Sequence, residues 1–109
     1  MSLQLNDPSL LCQQAYVNGQ WCEADSGART AIHNPANDEL IGSTPNMGRA
    51  ETLCAIEAAQ AAQPAWRSLT AKERANRLRQ WFGLIVANQE DLARIMTAEQ
   101  GKPLTEARG

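Results

Sequence analysis

Between Gln100 and Leu104 the sequence reads Gly101-Lys102-Pro103, and this punctuation constrains the fold more than any other stretch. A glycine closing a helix takes the left-handed conformation that other residues resist, and a proline just beyond it cannot continue the helix. The spacing predicts a helix that stops at Gly101. Leu104 to Ala107 resemble the opening turn of a new helix, and the sequence ends at Gly109. A finished domain seldom stops there, so the expectation is a segment truncated at its C-terminal end.

A chain of 109 residues allows one small domain that buries a little over ~60% of its unfolded surface. Its net charge of −2 supplies no electrostatic attraction for nucleic acid. No apolar run approaches the ~18 residues of a membrane span. Met1 to Pro8 lacks both a basic start and an apolar run, so no secretory leader is expected and the expected compartment is the cytoplasm. Cys12, Cys22 and Cys54 are odd in number and widely spaced, which argues against a disulfide framework or a zinc site. They read as incidental, partly buried thiols.

The chain divides into a lead-in, 1–14, a strand-rich front, about 15–45, and a helical back, about 48–101. Ala15-Tyr16-Val17 and Gln20-Trp21-Cys22 flank Asn18-Gly19, the pair that suits a type I′ hairpin turn because both central residues need positive φ. Ser26-Gly27 predicts a second turn, Arg29 to His33 a strand, Asn34 to Asp38 a loop, and Leu40 to Thr44 an extended segment stopped by Pro45. A first helix is expected from near Gly48, with Glu51 in its first turn and Leu53, Ile56 and several alanines as a thin apolar stripe. Pro64 is expected to end or kink it near Gln63, leaving Trp66 just beyond. Thr70-Ala71-Lys72-Glu73 is a capping box that starts a second helix, on which Leu78, Trp81, Phe82 and Ile85 recur at helical spacing. A short break over Asn88 to Asp91 precedes a third helix carrying Leu92, Ile95 and Met96. Taken alone, strands followed by three helices make an α+β segment.

Candidate chemical residues are few. His33 has no serine, cysteine or carboxylate placed beside it by local spacing, so it reads as an ordinary strand histidine. Lys102 reads as a cation near a helix C-terminus. Arg67, Lys72, Arg74, Arg77 and Arg79 make the second helix basic at its start. Without interleaved aromatics or a positive net charge they read as a solvated or salt-bridged face. The glycines are scattered singly, so no phosphate cradle is present.

Several fragments occur in order: Tyr16-Val17-Asn18-Gly19-Gln20-Trp21, Asn34-Pro35-Ala36, Ala65-Trp66-Arg67, Arg74 with Leu78, and Glu99-Gln100-Gly101-Lys102-Pro103. Together they resemble the N-terminal portion of the aldehyde dehydrogenase superfamily. Asn6-Asp7, Pro64 to Arg74 and Ala98 to Leu104 are most similar to the subgroup of bacterial NADP-dependent succinate-semialdehyde dehydrogenases. The resemblance implies an α/β fold, of which residues 15–109 would form part of the cofactor-domain scaffold. It implies NAD(P)-dependent oxidation of an aldehyde to a carboxylate, in which a cysteine thiolate attacks the aldehyde, hydride leaves for the nicotinamide, and a glutamate activates water. Backbone N–H groups and an asparagine amide hold the oxyanion.

By the same resemblance, the catalytic and cofactor-binding residues lie beyond Gly109, and Cys12, Cys22 and Cys54 match no nucleophile motif. NADP or NAD and the aldehyde would belong only to a full-length parent, and this chain alone is expected to be inactive. In several family members an acidic residue at the Glu-x-Gly-Lys-Pro landmark helps hold a monovalent cation, with backbone oxygens just before the Asn-Pro. The matching positions are Glu99, where the family often has Asp, with the backbone of Ile32 and His33. The alternative is a small non-enzymatic interaction domain or an inactive truncated product. Self-association through exposed Leu78, Trp81, Phe82, Ile85, Leu92 and Ile95 is expected where nothing covers the helices.

Overall fold

The computed structural model describes residues 3–109; Met1 and Ser2, which open the predicted lead-in, lie outside the described residues. After a 3-10 turn at Pro8–Leu10, four short strands form two separate antiparallel hairpins: β1 (Ala15–Val17) with β2 (Gln20–Cys22), and β3 (Arg29–His33) with β4 (Leu40–Pro45). Four helices follow, α1 (Arg49–Ser68), α2 (Ala71–Ala87), α3 (Gln89–Gln100) and the single turn α4 (Leu104–Ala107). The strands-then-helices order is that of an α+β segment.

Turn chemistry places the hairpins. Asn18 and Gly19 have φ of 52° and 76°, the positive values that a two-residue primed turn demands. Tyr16 therefore lies opposite Trp21, and their rings sit 5.0 Å apart, tilted by 52°. At the tip of the second hairpin Asn34 does three jobs. Its side chain accepts from Ala36 N at 2.9 Å, its carbonyl accepts from Asp38 N at 2.8 Å, and its own N–H donates to Glu39 O at 2.8 Å. Arg29 joins the two hairpins: it pairs with Glu23, donates to the Gln13 carbonyl, and reaches Ser43 Oγ at 2.8 Å and Ser43 O at 3.0 Å.

The helical half follows its caps. Thr70 N donates to Glu73 Oε2 at 2.7 Å, and Glu73 N donates to Thr70 Oγ1 at 3.2 Å, so the capping box forms as read. Gly101 closes α3 with φ of 83°, as its position predicts. A Cβ built there would stand 3.2 Å from Pro35 Cγ, so the helix stop and the Asn-Pro loop pack directly on each other.

Two expectations fail. α1 runs through Pro64 to Ser68, so Trp66 lies half-buried in its last turn and not beyond it. Proline deletes one ladder donor, and the helix instead ends where Arg74 donates from α2 to the carbonyls of Arg67 and Leu69. The break before α3 is Asn88 alone and not the four-residue stretch 88–91. Asn88 Nδ2 donates to Leu84 O at 2.9 Å, while its own carbonyl accepts from Leu92 N at 3.0 Å, so one residue serves both helices.

Long-range anchoring converges on the first turn of α3. Asp91 is 3% exposed, and its two carboxylate oxygens accept from Asn6 N and Asp7 N at 2.8 Å each. Arg94 Nη1 adds a bond to Gln4 O at 3.3 Å. Among the described residues only Ala24, Ala93 and Asp91 are buried, so this tie has little apolar packing behind it. Asp91→Ala is expected to remove both hydrogen bonds and to lower unfolding free energy by about 1–3 kcal/mol in urea titrations, with faster proteolysis before Ser9. An unchanged midpoint and cleavage pattern would show that the lead-in is held by something else.

Candidate functional site

β3 and β4 slip register by one residue between Ile32 and His33: Ile32 lies opposite Gly42, and His33 opposite Leu40. A bulge of this kind leaves ladder groups of the backbone unpaired and bends the strand. Beside it is an open cavity of about 260 Å³, walled by apolar Leu11, Ile32 and Ile41 together with Gly42, Ser43 and Thr44 of the hairpin, Cys12 and Gln13 of the lead-in, and Glu99 of α3. Glu99 and Ile32 thus face one space. His33 is not among its lining residues; its Nδ1 lies 3.2 Å from Asp38 O and 3.7 Å from Asp38 Oδ1, within its own hairpin.

What this arrangement offers chemically is one carboxylate, a hydroxyl-bearing strand and nearby backbone oxygen. Among the described residues no group of three or more His, Cys, Asp and Glu side chains could hold a metal ion. Against the expectation of partly buried thiols, Cys12 and Cys54 are exposed and only Cys22 of the three is half-buried; the Cys12 thiol lies 3.6 Å from Ser9 O and the Cys22 thiol 3.4 Å from Ala15 O.

The basic start of α2 is structural at its centre. Arg74 caps α1, and Arg77 lies near enough to Glu73 to attract its carboxylate. The Glu73 carboxyl is held below its usual range first by the Thr70 backbone N–H and then by the Thr70 hydroxyl, with Arg77 adding to both.

A second network went unread in the sequence. Arg108 grips Glu90 through both oxygens, Nε to Oε2 at 2.8 Å and Nη2 to Oε1 at 3.0 Å, while Gln89 Nε2 donates to Arg108 O. Arg94 Nε stands 3.4 Å from Glu90 Oε1. The sequence signal was present, since three polar or acidic residues open α3 and an arginine follows α4, but their pairing depends on how the chain folds back at Gly101. A larger open cavity of about 530 Å³ lies between the lead-in, β4 and α3, lined in part by Leu11, Ile41, Arg94 and Thr97. The buried Thr97 Oγ1 has no hydrogen-bond partner among the described residues.

With this geometry in place, likeness to known proteins becomes informative. The aldehyde dehydrogenase family model matches residues 21–109. The chain belongs to the aldehyde dehydrogenase family. It is 63% identical over 107 residues to a glutarate-semialdehyde dehydrogenase of Pseudomonas aeruginosa, covering 98% of this chain and 22% of that protein. It is 56% identical over the same length to the NADP-dependent succinate-semialdehyde dehydrogenase of Escherichia coli, again covering 98% and 22%. A crystal structure of an NADP-dependent enzyme from E. coli superposes with a TM-score of 0.94 at 57% identity, covering 97% of this chain and 22% of that one. A succinate-semialdehyde dehydrogenase structure from Burkholderia pseudomallei gives 0.93 at 58%, covering 96% and 22%. The chain therefore spans about a fifth of the length of these relatives. Among the described residues no helix is long and apolar enough to cross a membrane.

The Glu90 network carries a pH signature. Hydrogen bonds from Arg108 hold the Glu90 carboxyl below its usual range, with charge attraction from Arg108 and Arg94 adding to it, and the same bond raises Arg108. A carboxylate depressed in the folded state stabilises fully above its unfolded pKa and loses that stabilisation as pH falls through the lowered value. The hold of α3 on α4 is therefore expected to be complete at neutral pH and to fade below about pH 4. Carboxyl NMR should place the Glu90 midpoint below the ordinary glutamate range, and Arg108→Met should raise it toward that range, with Arg94 still holding part of the shift; a Glu90 midpoint insensitive to that change would refute the pairing.

Proposed function

We propose that this chain forms the scaffold that precedes the catalytic centre of a cytoplasmic NAD(P)-dependent aldehyde dehydrogenase. The reaction is oxidation of an aldehyde carrying a distal carboxylate, of the succinate- or glutarate-semialdehyde class, to the corresponding acid. The observation that carries this reading is identity of 56–63% with semialdehyde dehydrogenases over 98% of the chain. In this reading the nucleophile, the general base and the dinucleotide cradle are supplied by the part of the enzyme that this chain does not span. The work of this chain is to hold the hairpins, α3 and the Gly101 turn in fixed relation.

NADP is the favoured cofactor of the whole enzyme, since the E. coli relative bears that name. As a separate polypeptide the chain self-associates through its uncovered apolar helix faces. Purified alone with succinate semialdehyde and NADP, it is expected to show no aldehyde-dependent rise in reduced cofactor at any protein concentration. Turnover that scales with the chain would overturn the placement of the chemistry outside it.

Within this proposal Glu99 holds a monovalent cation together with the backbone oxygens of Ile32 and His33. Support comes from the cavity shared by Glu99 and Ile32 and from the bulge that loosens the ladder between Ile32 and His33. The cation would neutralise the carboxylate and tie the helix stop to the hairpin; it has no part in the chemistry. Replacing choline chloride with sodium chloride at constant ionic strength is expected to raise the melting temperature by about 2–4 °C, as RT ln(1 + [L]/Kd) gives for weak binding. Glu99→Gln should abolish the difference. An equal salt response in both proteins would remove the site.

A further inference from the structure

The turn between β1 and β2 sets a free carboxamide beside an unshielded backbone nitrogen. Asn18 is followed by glycine, so no side chain crowds the approach of the Gly19 N–H to the Asn18 side chain. Both residues are exposed, and a Cβ built on Gly19 would meet nothing within 4 Å. Among the described residues neither the Asn18 carboxamide nor the Gly19 N–H has a hydrogen-bond partner. The adjoining cavity of about 320 Å³ is lined on α1 by Ala55, Ala58, Ala59 and Ala62, which carry no polar group to hold the carboxamide.

The other asparagines are held or blocked. Asn34 precedes Pro35, which has no N–H. After Asn6 the Asp7 N–H is bound to Asp91, and after Asn37 the Asp38 N–H is bound to Asn34 O. Asn37 and Asn88 commit their carboxamides to Glu39 N and Leu84 O. Asn76 lies inside α2, where the next N–H belongs to the helix ladder. Asn46 is followed by Met47, whose side chain crowds the approach.

The backbone at Asn18 is poised as well. With φ of 52° and 76°, Asn18 and Gly19 form the type I′ pair. Turning over the one peptide plane between them gives a type II′ turn, which keeps positive φ at Asn18, brings its ψ to about −120° and still joins the same two strands. At that ψ the Gly19 nitrogen eclipses the Asn18 Cβ and comes within five-membered-ring reach of Cγ.

We propose that Asn18 is a self-modification site whose only co-reactant is water. The Gly19 nitrogen gives its proton to solvent base and bonds to Asn18 Cγ; the carboxamide nitrogen takes a proton and leaves as ammonia. The resulting succinimide is opened by water at either carbonyl, and nothing is oxidised or reduced. One opening leaves aspartate, which tolerates positive φ and keeps the hairpin. The other leaves isoaspartate, whose extra main-chain methylene no longer fits a two-residue turn, so Tyr16 and Trp21 lose their register. Aldehyde oxidation has no part in either step.

The whole chain is incubated in mildly alkaline buffer made with heavy-oxygen water and digested. Its peptides are then read by mass spectrometry with fragmentation that separates aspartate from isoaspartate. Conversion is expected at Asn18 at least tenfold faster than at any other asparagine, with both products present and heavy oxygen in each. Gly19→Asn keeps a residue at ease with positive φ but sets a Cβ beside the attacking nitrogen, and should slow conversion at least fivefold. The same change in the free peptide Ala15–Cys22 reads the chemistry apart from the fold. Conversion in the folded chain more than tenfold slower than in that peptide would show the carboxamide locked by the turn, and would overturn the proposal. So would first conversion at another asparagine, or aspartate formed without isoaspartate, the mark of direct hydrolysis. In the isoaspartate fraction the Tyr16–Trp21 ring contact is expected to vanish from NMR spectra, whereas Asn18→Asp retains it; a contact kept in both would refute the loss of register.

Discussion

The buried carboxylate of Asp91 is the constraint on which the arrangement of this chain depends. Two backbone N–H groups from Asn6 and Asp7 end on it, more than eighty residues away in sequence. One residue earlier, Glu90 takes the guanidinium of Arg108, and one turn later Arg94 reaches back to Gln4. The first turn of α3 thus collects both ends of the described chain. Held by two backbone donors fixed in place, this carboxylate contributes more than a surface ion pair, which must order two long side chains. The apolar part of the structure does not take its place, since nothing larger than alanine is buried among the described apolar residues.

Around that hub the landmark motifs acquire physical roles. Gly101 is left-handed and lies against Pro35, so the helix stop and the Asn-Pro loop are two sides of one contact. Asn34 builds the loop that presents Pro35, and the neighbouring bulge opens the cavity into which Glu99 and Ile32 face. These residues shape a support; their chemistry is packing and hydrogen bonding. The proposed enzymatic role follows from kinship with semialdehyde dehydrogenases.

Much of the local structure was legible because it is written in short-range chemistry. Asn18-Gly19, Thr70 with Glu73, and Gly101 before Pro103 each act within a few residues, and each formed as read. Pro64 misled because its local cost is real but small beside a helix of twenty residues capped from outside by Arg74. Asn88 misled in the other direction: a polar run looked like a loop, although one side chain and one carbonyl suffice to turn the chain. Of the candidate site, Glu99 and Ile32 were named from resemblance, and their shared cavity could not be read from residues so far apart in sequence.

The sequence by itself determined the hairpin turn, the capping box of α2, the helix stop at Gly101 and the family, because these depend on neighbours within one or two turns or on ordered motifs. Only the tertiary structure decided that Asp91 binds the lead-in, that Arg108 returns to Glu90, and that Gly101 meets Pro35. Those pairings depend on chain paths in three dimensions, which no local spacing encodes. The same holds for the fate of Leu78, Trp81, Phe82 and Ile85. Their periodicity declares a face to be buried, and whether anything covers it is a property of the surroundings.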